Sequence, residues 1–451
     1  MQIPLSLTKI LKLEFEKLLL SKKWLTLLLD GQFYEFEKRL HTAFGSLYDV
    51  LCEHLITFIS ETAEFRVAQK TLANDLGLRQ LIERSATVQL RTGTKVKYRS
   101  LYAKKKSKDN EGGSRHLSHQ LWNVSKSSGS MYKSLSCLLS VLCPSFELSK
   151  NLLRYMGIDA NYDRVRSLSL TLSEECMKDR PASQLSAEES VKDKQVLIGI
   201  DGGRTRTRVV KDKQEDQKDK RKQSFDTPWR EPKVFVITTI DQNGKLNKES
   251  LPIYDCSFGD VQTVSLLGAY LKKLKIWEAS NVQIVGDGAP WIWNKVPALL
   301  LKLGVARSNI IETLDYYHAS EHVYQLKAYI DKGQQYQLFK QLKQALWEGS
   351  IEQIRALLQK GISGVNLDSF TPYQYFERNK NRIDYQSLRA DKRPCGSGVI
   401  ESGIRRIINL RFKGPSSFWY PENVEKLILM RSIALSGRWN IMMQNLNVNK
   451  N

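Results

Sequence analysis

The chain has 451 residues, of which 41% are hydrophobic and 26% charged; this is a globular composition, and it excludes disordered and fibrous classes. At about 150 residues per domain there is room for roughly three units. Its 69 Lys+Arg against 48 Asp+Glu leave +21, so a polyanionic partner is expected, and nucleic acid is favoured over membrane because no stretch approaches the ~20 apolar residues that span a bilayer.

Residues 9–20 interrupt their apolar positions with Lys and Glu, which predicts an amphipathic helix and not a secretion signal. Helical spacing continues to about Arg84, as in Phe36, Leu40, Phe44, Leu47, Val50 and Leu51, giving a helical region over 1–85. Residues 87–91 and 95–99 alternate at period two around Thr92-Gly93-Thr94 and predict a hairpin with basic exposed faces. Residues 104–115 have no apolar periodicity and read as a loop or linker. Between 145 and 170, two short helices flank Met156-Gly157-Ile158. They read either as a helix-turn-helix with Asn161, Arg164 and Arg166 reaching DNA, or as an ordinary helical pair packed on the core. Hairpin and helix pair together define a candidate DNA-binding region over 86–182. The six cysteines are scattered without a C-x-x-C pair, as expected of free thiols in a reducing cytoplasm.

Polar residues 183–194 mark a boundary. Beyond it, 196–200 reads as a strand ending at Asp201, 205–210 as a second strand, and the mixed-charge run 211–222 as a solvated loop. Residues 234–240 form a strong strand, followed by the turn Asp241-Gln242-Asn243-Gly244 and hence a hairpin. A helix at 261–274, a strand at 282–285, a helix at 296–303 and a strand at 310–314 follow. This β-β-β-α-β-α-β order is that of a ribonuclease-H-like sheet, so the expected fold class is α/β: a mixed-sheet core over 195–322 and 393–440 behind a mainly helical N-terminal region. Residues 323–392 are an expected helical insertion, with Leu338, Leu342, Leu346, Ile351, Ile354, Leu357 and Leu358 at helical spacing.

Asp201 and Asp287 each follow an apolar run, where α/β folds place their chemistry, and Glu401 lies early in the helix-like 398–408. Hard cations such as Mg²⁺, for which Mn²⁺ can substitute, take a few carboxylates and complete their shell with water and phosphate oxygens. Two such ions can activate the attacking oxygen and stabilise the leaving one in phosphoryl transfer, with no histidine base required. Three acids on separate elements of a basic chain therefore suggest a metal-dependent enzyme acting on nucleic acid. Each acid also has a plainer reading: Asp201 as a turn former with Gly202-Gly203, Asp287 as a helix cap, and Glu401 as an ion pair with Arg405. Trp291 and Trp293 could stack on an unpaired base or pack in the core. Arg405, Arg406, Arg411 and Lys413 lie along one segment, suited to neutralising phosphates or to forming a solvated helix face. His318 and His322 stand at i,i+4 but lack the glutamate of H-E-x-x-H.

The blocks Gly286-Asp287-Gly288-Ala289-Pro290-Trp291-Ile292-Trp293, Asp315-Tyr316-Tyr317-His318-Ala319 and Gly396-Ser397-Gly398-Val399-Ile400-Glu401-Ser402, with Arg411-Phe412-Lys413 after them, resemble bacterial insertion-sequence transposases of the ISKra type. Trp229-Arg230-Glu231-Pro232-Lys233, Tyr375-Phe376-Glu377-Arg378-Asn379 and residues 431–439 add to the resemblance. It spans roughly 196–439. It implies a D-D-E enzyme with a ribonuclease-H-like core, related to Mutator-like elements, in which Asp201, Asp287 and Glu401 hold magnesium. The Asp-x-x-His element then falls on Asp315 and His318, in a supporting role. DNA partners, oligomers on DNA and a bacterial, nucleoid-associated location are also implied. Many such relatives carry a cysteine pair after the hairpin; Tyr102-Ala103-Lys104-Lys105-Lys106 has none, so no zinc module is carried over. Two rivals remain at this point. Residues 198–207 resemble the first phosphate loop of actin-like sugar kinases, and a DNA-binding protein descended from a transposase would need no working site.

Overall fold

The protein is described by a computed structural model for residues 5–19, 23–103, 114–211, 224–330, 333–362, 366–367, 369–414 and 418–448. Most of the expected linker at 104–115 and nearly all of the mixed-charge run at 211–222 lie outside these residues. The chain divides into two compact units, one over Met1–Leu172 and the other over Ser173–Val448.

In the first unit, helices α1 (Leu5–Leu19), α2 (Lys23–Leu29), α3 (Phe33–Glu61) and α4 (Ala63–Asp75) precede an antiparallel hairpin of β1 (Leu81–Gln89) and β2 (Lys95–Ala103). Helix α4 starts where the Thr62 hydroxyl accepts the Phe65 N–H at 3.2 Å, a capping arrangement that satisfies one orphan donor. The helical region ends at Asp75, short of the expected Arg84, and residues 81–86 already belong to β1. The hairpin pairs Val88 with Val96, burying Ala86, Val88, Val96 and Tyr98 against Cys52 and Ile56 of α3. It leaves Lys95, Lys97 and Arg99 exposed, as period-two alternation dictates. Its turn is fixed to α3 by the Thr92 and Thr94 hydroxyls, which donate to the Asp49 carboxylate at 2.5 and 2.6 Å. Helices α5 (Ser130–Leu142), α6 (Phe146–Tyr155) and α7 (Tyr162–Met177), the last of which extends past the unit boundary at Leu172, follow, with Gly157 at φ +78° in the turn between the last two.

The second unit is built on a mixed five-stranded sheet. Its strands are β3 (Gln195–Gly202), β4 (Pro232–Ile240), β5 (Ile253–Phe258), β6 (Asn281–Gly286) and β7 (Ile310–Leu314), in the order β5-β4-β3-β6-β7. Strands β3, β6 and β7 are parallel, while β4 runs antiparallel to both β3 and β5. Val196, Leu197, Ile198 and Ile200 are all buried, as in a strand covered on both faces. The order and directions are compatible with a ribonuclease-H-like core. One strand differs from expectation: residues 205–210 do not join this sheet but form two-residue ladders with 225–230. The third strand is instead β5, reached through the Asp241–Gly244 turn, where Gly244 N–H donates to Asp241 O at 3.0 Å.

Helices α8 (Asp260–Lys273), α9 (Pro290–Lys302) and α10 (Tyr316–Leu326) alternate with the last strands. The expected insertion is helical, with α11 (Gln335–Glu348), α12 (Ile351–Gly361), α13 (Thr371–Arg378) and the short Tyr385–Ala390. It shares one apolar core with the sheet: Leu342, Leu346, Ile354 and Phe376 belong to the same buried cluster as Val196 and Ile284. Helix α14 (Gly398–Ile404) continues through a π turn at Arg405–Asn409 to Phe412, and α15 (Pro421–Leu435) follows. Among the described residues, the six cysteines form no disulfide, and no helix is long and apolar enough to cross a membrane.

Candidate active site

The parallel register sets Ile200 of β3 beside Gly286 of β6, and Gly286 beside Leu314 of β7. The next residue after each is an aspartate: Asp201, Asp287 and Asp315 thus stand in a row at the carboxyl ends of three adjoining parallel strands. The loops there are tied together, since Asp315 N–H donates to Gly286 O at 2.8 Å. This is the edge at which open α/β sheets carry ligands.

The three acids differ in their surroundings. Asp201 is partly buried; the Gly202 N–H donates to its Oδ1 at 2.6 Å. Burial pushes its carboxyl up to about 6, and the negative charges of Asp287 and Asp315 act in the same direction. Asp287 accepts the Ala289 N–H at 2.9 Å, and its carbonyl accepts the Trp293 Nε1–H at 3.0 Å. The helix-cap reading is therefore realised in part, as an Asx-type turn leading into α9. Trp293 is a core residue, buried with the Arg382 guanidinium 4.7 Å from its ring, while Trp291 is partly buried with Lys233 Nζ at 5.8 Å.

Asp315 is 1% exposed and fully engaged. It accepts from Tyr317 N–H at 3.1 Å, Ser397 N–H at 3.0 Å, Ser397 Oγ at 2.7 Å and His318 Nδ1 at 2.8 Å. Burial acts to raise its carboxyl, but the hydrogen bonds from His318, Ser397 and Tyr317 hold it below the usual aspartate range. His318 responds in the opposite sense: the hydrogen bond to Asp315, reinforced by the charges of Asp201 and Asp287, raises it to about 9. At neutral pH it is an imidazolium, the positive charge facing the acids. His322, by contrast, stacks on Tyr375 with centroids 3.7 Å apart, and burial lowers its pKa.

Ser397 is the residue that sequence reasoning passed over. It is the N-cap of α14, yet its hydroxyl is turned to Asp315 and not to the helix, while its carbonyl accepts the Glu401 N–H at 3.0 Å. A serine directly before a helix start was the available signal; the partner was not visible. Helix α14 then lies against β3, because Gly199 has no side chain: a Cβ there would meet Val236 Cγ1 at 2.9 Å and Ile400 Cβ at 3.2 Å.

Glu401 is exposed on α14, on the face opposite Ile400, Gly403 and Ile404. Among the described residues, no group of three or more His, Cys, Asp or Glu side chains is gathered to hold a metal ion. Arg405, Arg406 and Lys413 are also exposed. Arg411 departs from the expected phosphate-facing segment: it is 2% exposed, with its guanidinium 5.2 Å from the Trp419 ring.

The glycines after Asp201 are filled in as well. A side chain on Gly202 would collide with Glu231, and one on Gly203 with Ile408. They serve close packing at this edge. In the first unit, the Arg164 guanidinium binds Ser128 Oγ at 2.7 Å and the Lys126 carbonyl, and the Asn161 side chain accepts the Arg164 N–H at 2.8 Å. Asn161 and Arg164 therefore brace their own unit rather than projecting freely, and Arg166 is partly buried.

No family model matches the chain, and no curated protein matches it. Among solved structures, the chain is similar to the Drosophila P element transposase strand transfer complex at 13% identity and a TM-score of 0.28, over 70% of this chain and 81% of that one.

Proposed function

We propose that the protein is a DDE transposase of the ISKra type, which cleaves DNA at transposon ends and joins the freed strands to target DNA with a divalent cation. The observation that carries this reading is the placement of Asp201 and Asp287 side by side at the ends of β3 and β6, in a chain of net charge +21. Support also comes from the sheet order, the sequence blocks around Asp287, Asp315 and Glu401, and the seating of the Glu401 helix on Gly199.

The two strand-end groups Asp201 and Asp287 suit a hard cation. Both strand-end groups are carboxylates, and two carboxylates with substrate phosphates and water are enough for Mg²⁺. Burial and the neighbouring negative charges disfavour ionised Asp201; a bound cation would relieve that cost. In this reading Asp201, Asp287 and Glu401 hold the magnesium, with manganese as a substitute. The ions would activate the attacking oxygen and stabilise the leaving one.

The chain's own groups do the rest. His318, fixed by Asp315, sets a positive charge beside the reacting phosphate. Arg405, Arg406 and Lys413 neutralise backbone phosphates. Water attacks phosphorus at a transposon end, the bond to the 3′-oxygen breaks and a 3′-hydroxyl is released. That hydroxyl then attacks a target phosphorus, displacing the target's own 3′-oxygen. Assembly as a homo-oligomer on paired ends belongs to the same proposal.

The test is nicking and strand transfer on plasmid DNA carrying the sequences that flank the gene, with Mg²⁺ or Mn²⁺. Wild-type protein is expected to nick, and Asp201→Ala, Asp287→Ala and Glu401→Ala to be inactive while still binding DNA. Cleavage by Asp287→Ala at the wild-type rate would overturn the assignment. An inactive wild type that binds the same DNA would favour a decayed, binding-only descendant.

A further inference from the structure

The residues that follow Asp201 leave the main sheet and form a narrow ribbon. Thr205 pairs with Arg230, Arg206 with Trp229, Val209 with Asp226 and Val210 with Phe225. Thr207 bridges to Trp419, and Arg208 N–H donates to Trp419 O at 2.7 Å. Thr205 and Thr207 are buried, so period-two alternation places Arg204, Arg206 and Arg208 together on the opposite face.

That face interleaves cations with rings. The Arg206 guanidinium lies 4.9 Å from the ring of Trp229, which remains 52% exposed. Arg208 lies 4.1 Å from the Phe225 ring and 5.5 Å from that of Tyr420. Among the described residues of the ribbon, the acids are already neutralised, Asp226 by Lys211 at 2.9 Å and Glu231 by Lys233 at 2.9 Å. Among the described residues, Arg204, Arg206, Arg208 and Arg230 have no carboxylate within ion-pair distance, and Arg208 Nε is buried without a hydrogen-bond partner. Arg204 and Arg206, unneutralised on the face that carries the exposed ring of Trp229, suit a polyanion that also offers flat rings.

We propose that this ribbon binds an unpaired DNA strand, with its bases on Trp229 and its phosphates on Arg204 and Arg206, and so leads the strand to the acids at the end of β3. The inference rests on the transposase reading for the identity of the polymer. A duplex keeps its base faces stacked inside and would leave Trp229 unused, whereas every unpaired base has a face to offer. The arginines contribute sequence-independent attraction that weakens with salt.

The experiment uses the full chain without divalent cation. Fluorescence anisotropy is followed with a labelled oligothymidylate of about a dozen nucleotides and with a hairpin duplex of similar length. Trp229→Ala is expected to weaken binding of the single strand about 10-fold and of the duplex less than about 2-fold, with Trp229→Phe restoring most of the loss. Arg204→Glu and Arg206→Glu combined should weaken both and flatten the salt dependence. Unchanged thermal unfolding shows that the variants are folded. Wild-type binding by Trp229→Ala, or equal losses for single strand and duplex, would overturn the proposal. The transposase reading fails separately, through cleavage that does not depend on Asp287.

Discussion

Two aspartates in the second unit are each pushed by burial to about 6, and their surroundings give them opposite roles. Asp255, on β5 at the antiparallel edge, is fully buried but complete. The Tyr270 hydroxyl and Cys256 N–H each donate to it at 2.8 Å, and Arg180 lies at 3.3 Å. Arg180 is itself shared with Glu425 at 2.7 Å. Asp201, at the parallel edge, has one backbone donor and looks towards two further acids. A carboxylate whose needs are met internally is part of the scaffold; one with a single donor, beside other acids and an imidazolium, is suited to a cation or a substrate.

The largest effect that could break this contrast is on cleavage. On the proposed function, Asp201→Ala or Asp287→Ala would remove an oxygen ligand from a cation centre worth several kcal/mol, so the rate should fall at least about a hundredfold with little change in melting temperature. The converse holds at the other edge. Arg180→Met leaves Asp255 and Glu425 without their shared cation, and stability measured by denaturant unfolding should drop by about 3–5 kcal/mol. Cleavage per folded molecule should then remain near wild type; a specific loss of activity would show that the two edges are not separable.

A smaller effect is expected between them. Asp315→Asn keeps the shape but loses the charge that holds His318, and supporting groups of this kind cost about 10–100-fold in activity. Its distinguishing sign is in NMR titration, where the His318 pKa should fall from about 9 towards its ordinary value. An unchanged titration would mean that Asp315 does not govern His318.

The smallest effect is on stability with pH. His318 is raised in the folded state, so its contribution is complete below about 6.5 and is lost as pH rises to about 9. Asp201 is also raised, so the folded protein holds the extra proton between about 4 and 6, and stability declines as pH rises through that window. Thermal unfolding of His318→Gln and Asp201→Asn should flatten the upper and lower windows respectively.

Much of the sheet was legible because β3 and β4 carry long apolar runs and the shorter β6 and β7 are mostly apolar, each lying between helical patterns. Strand β5 was not: Ile253-Tyr254-Asp255-Cys256-Ser257-Phe258 contains a charge whose neutraliser, Arg180, is far away in sequence. Residues 205–210 were overread because Thr and Arg alternate as in a half-buried strand, which they are, but in a ribbon and not in the sheet. At the candidate site the settings of Asp201 and Asp287 could be read from the runs that precede them. That Asp315 aligns with them, and that Ser397 connects it to α14, depends on parallel register and a loop contact that no spacing discloses. The basic residues after Glu401 lie along one segment, but a wider turn within it leaves Arg405, Arg406 and Lys413 exposed and Arg411 buried.

That wider turn, the π segment at Arg405–Asn409, acts as a phase shift between the two ends of one rod. Each residue of a regular helix advances by about 100°, so one surplus residue rotates all that follows relative to what precedes it. Deleting a single position there would let the rod wind regularly and would swing Arg411 and Phe412 out of their buried seats, although no buried side chain had been altered. The segment should accept substitution on its outer face far more readily than any change in its count.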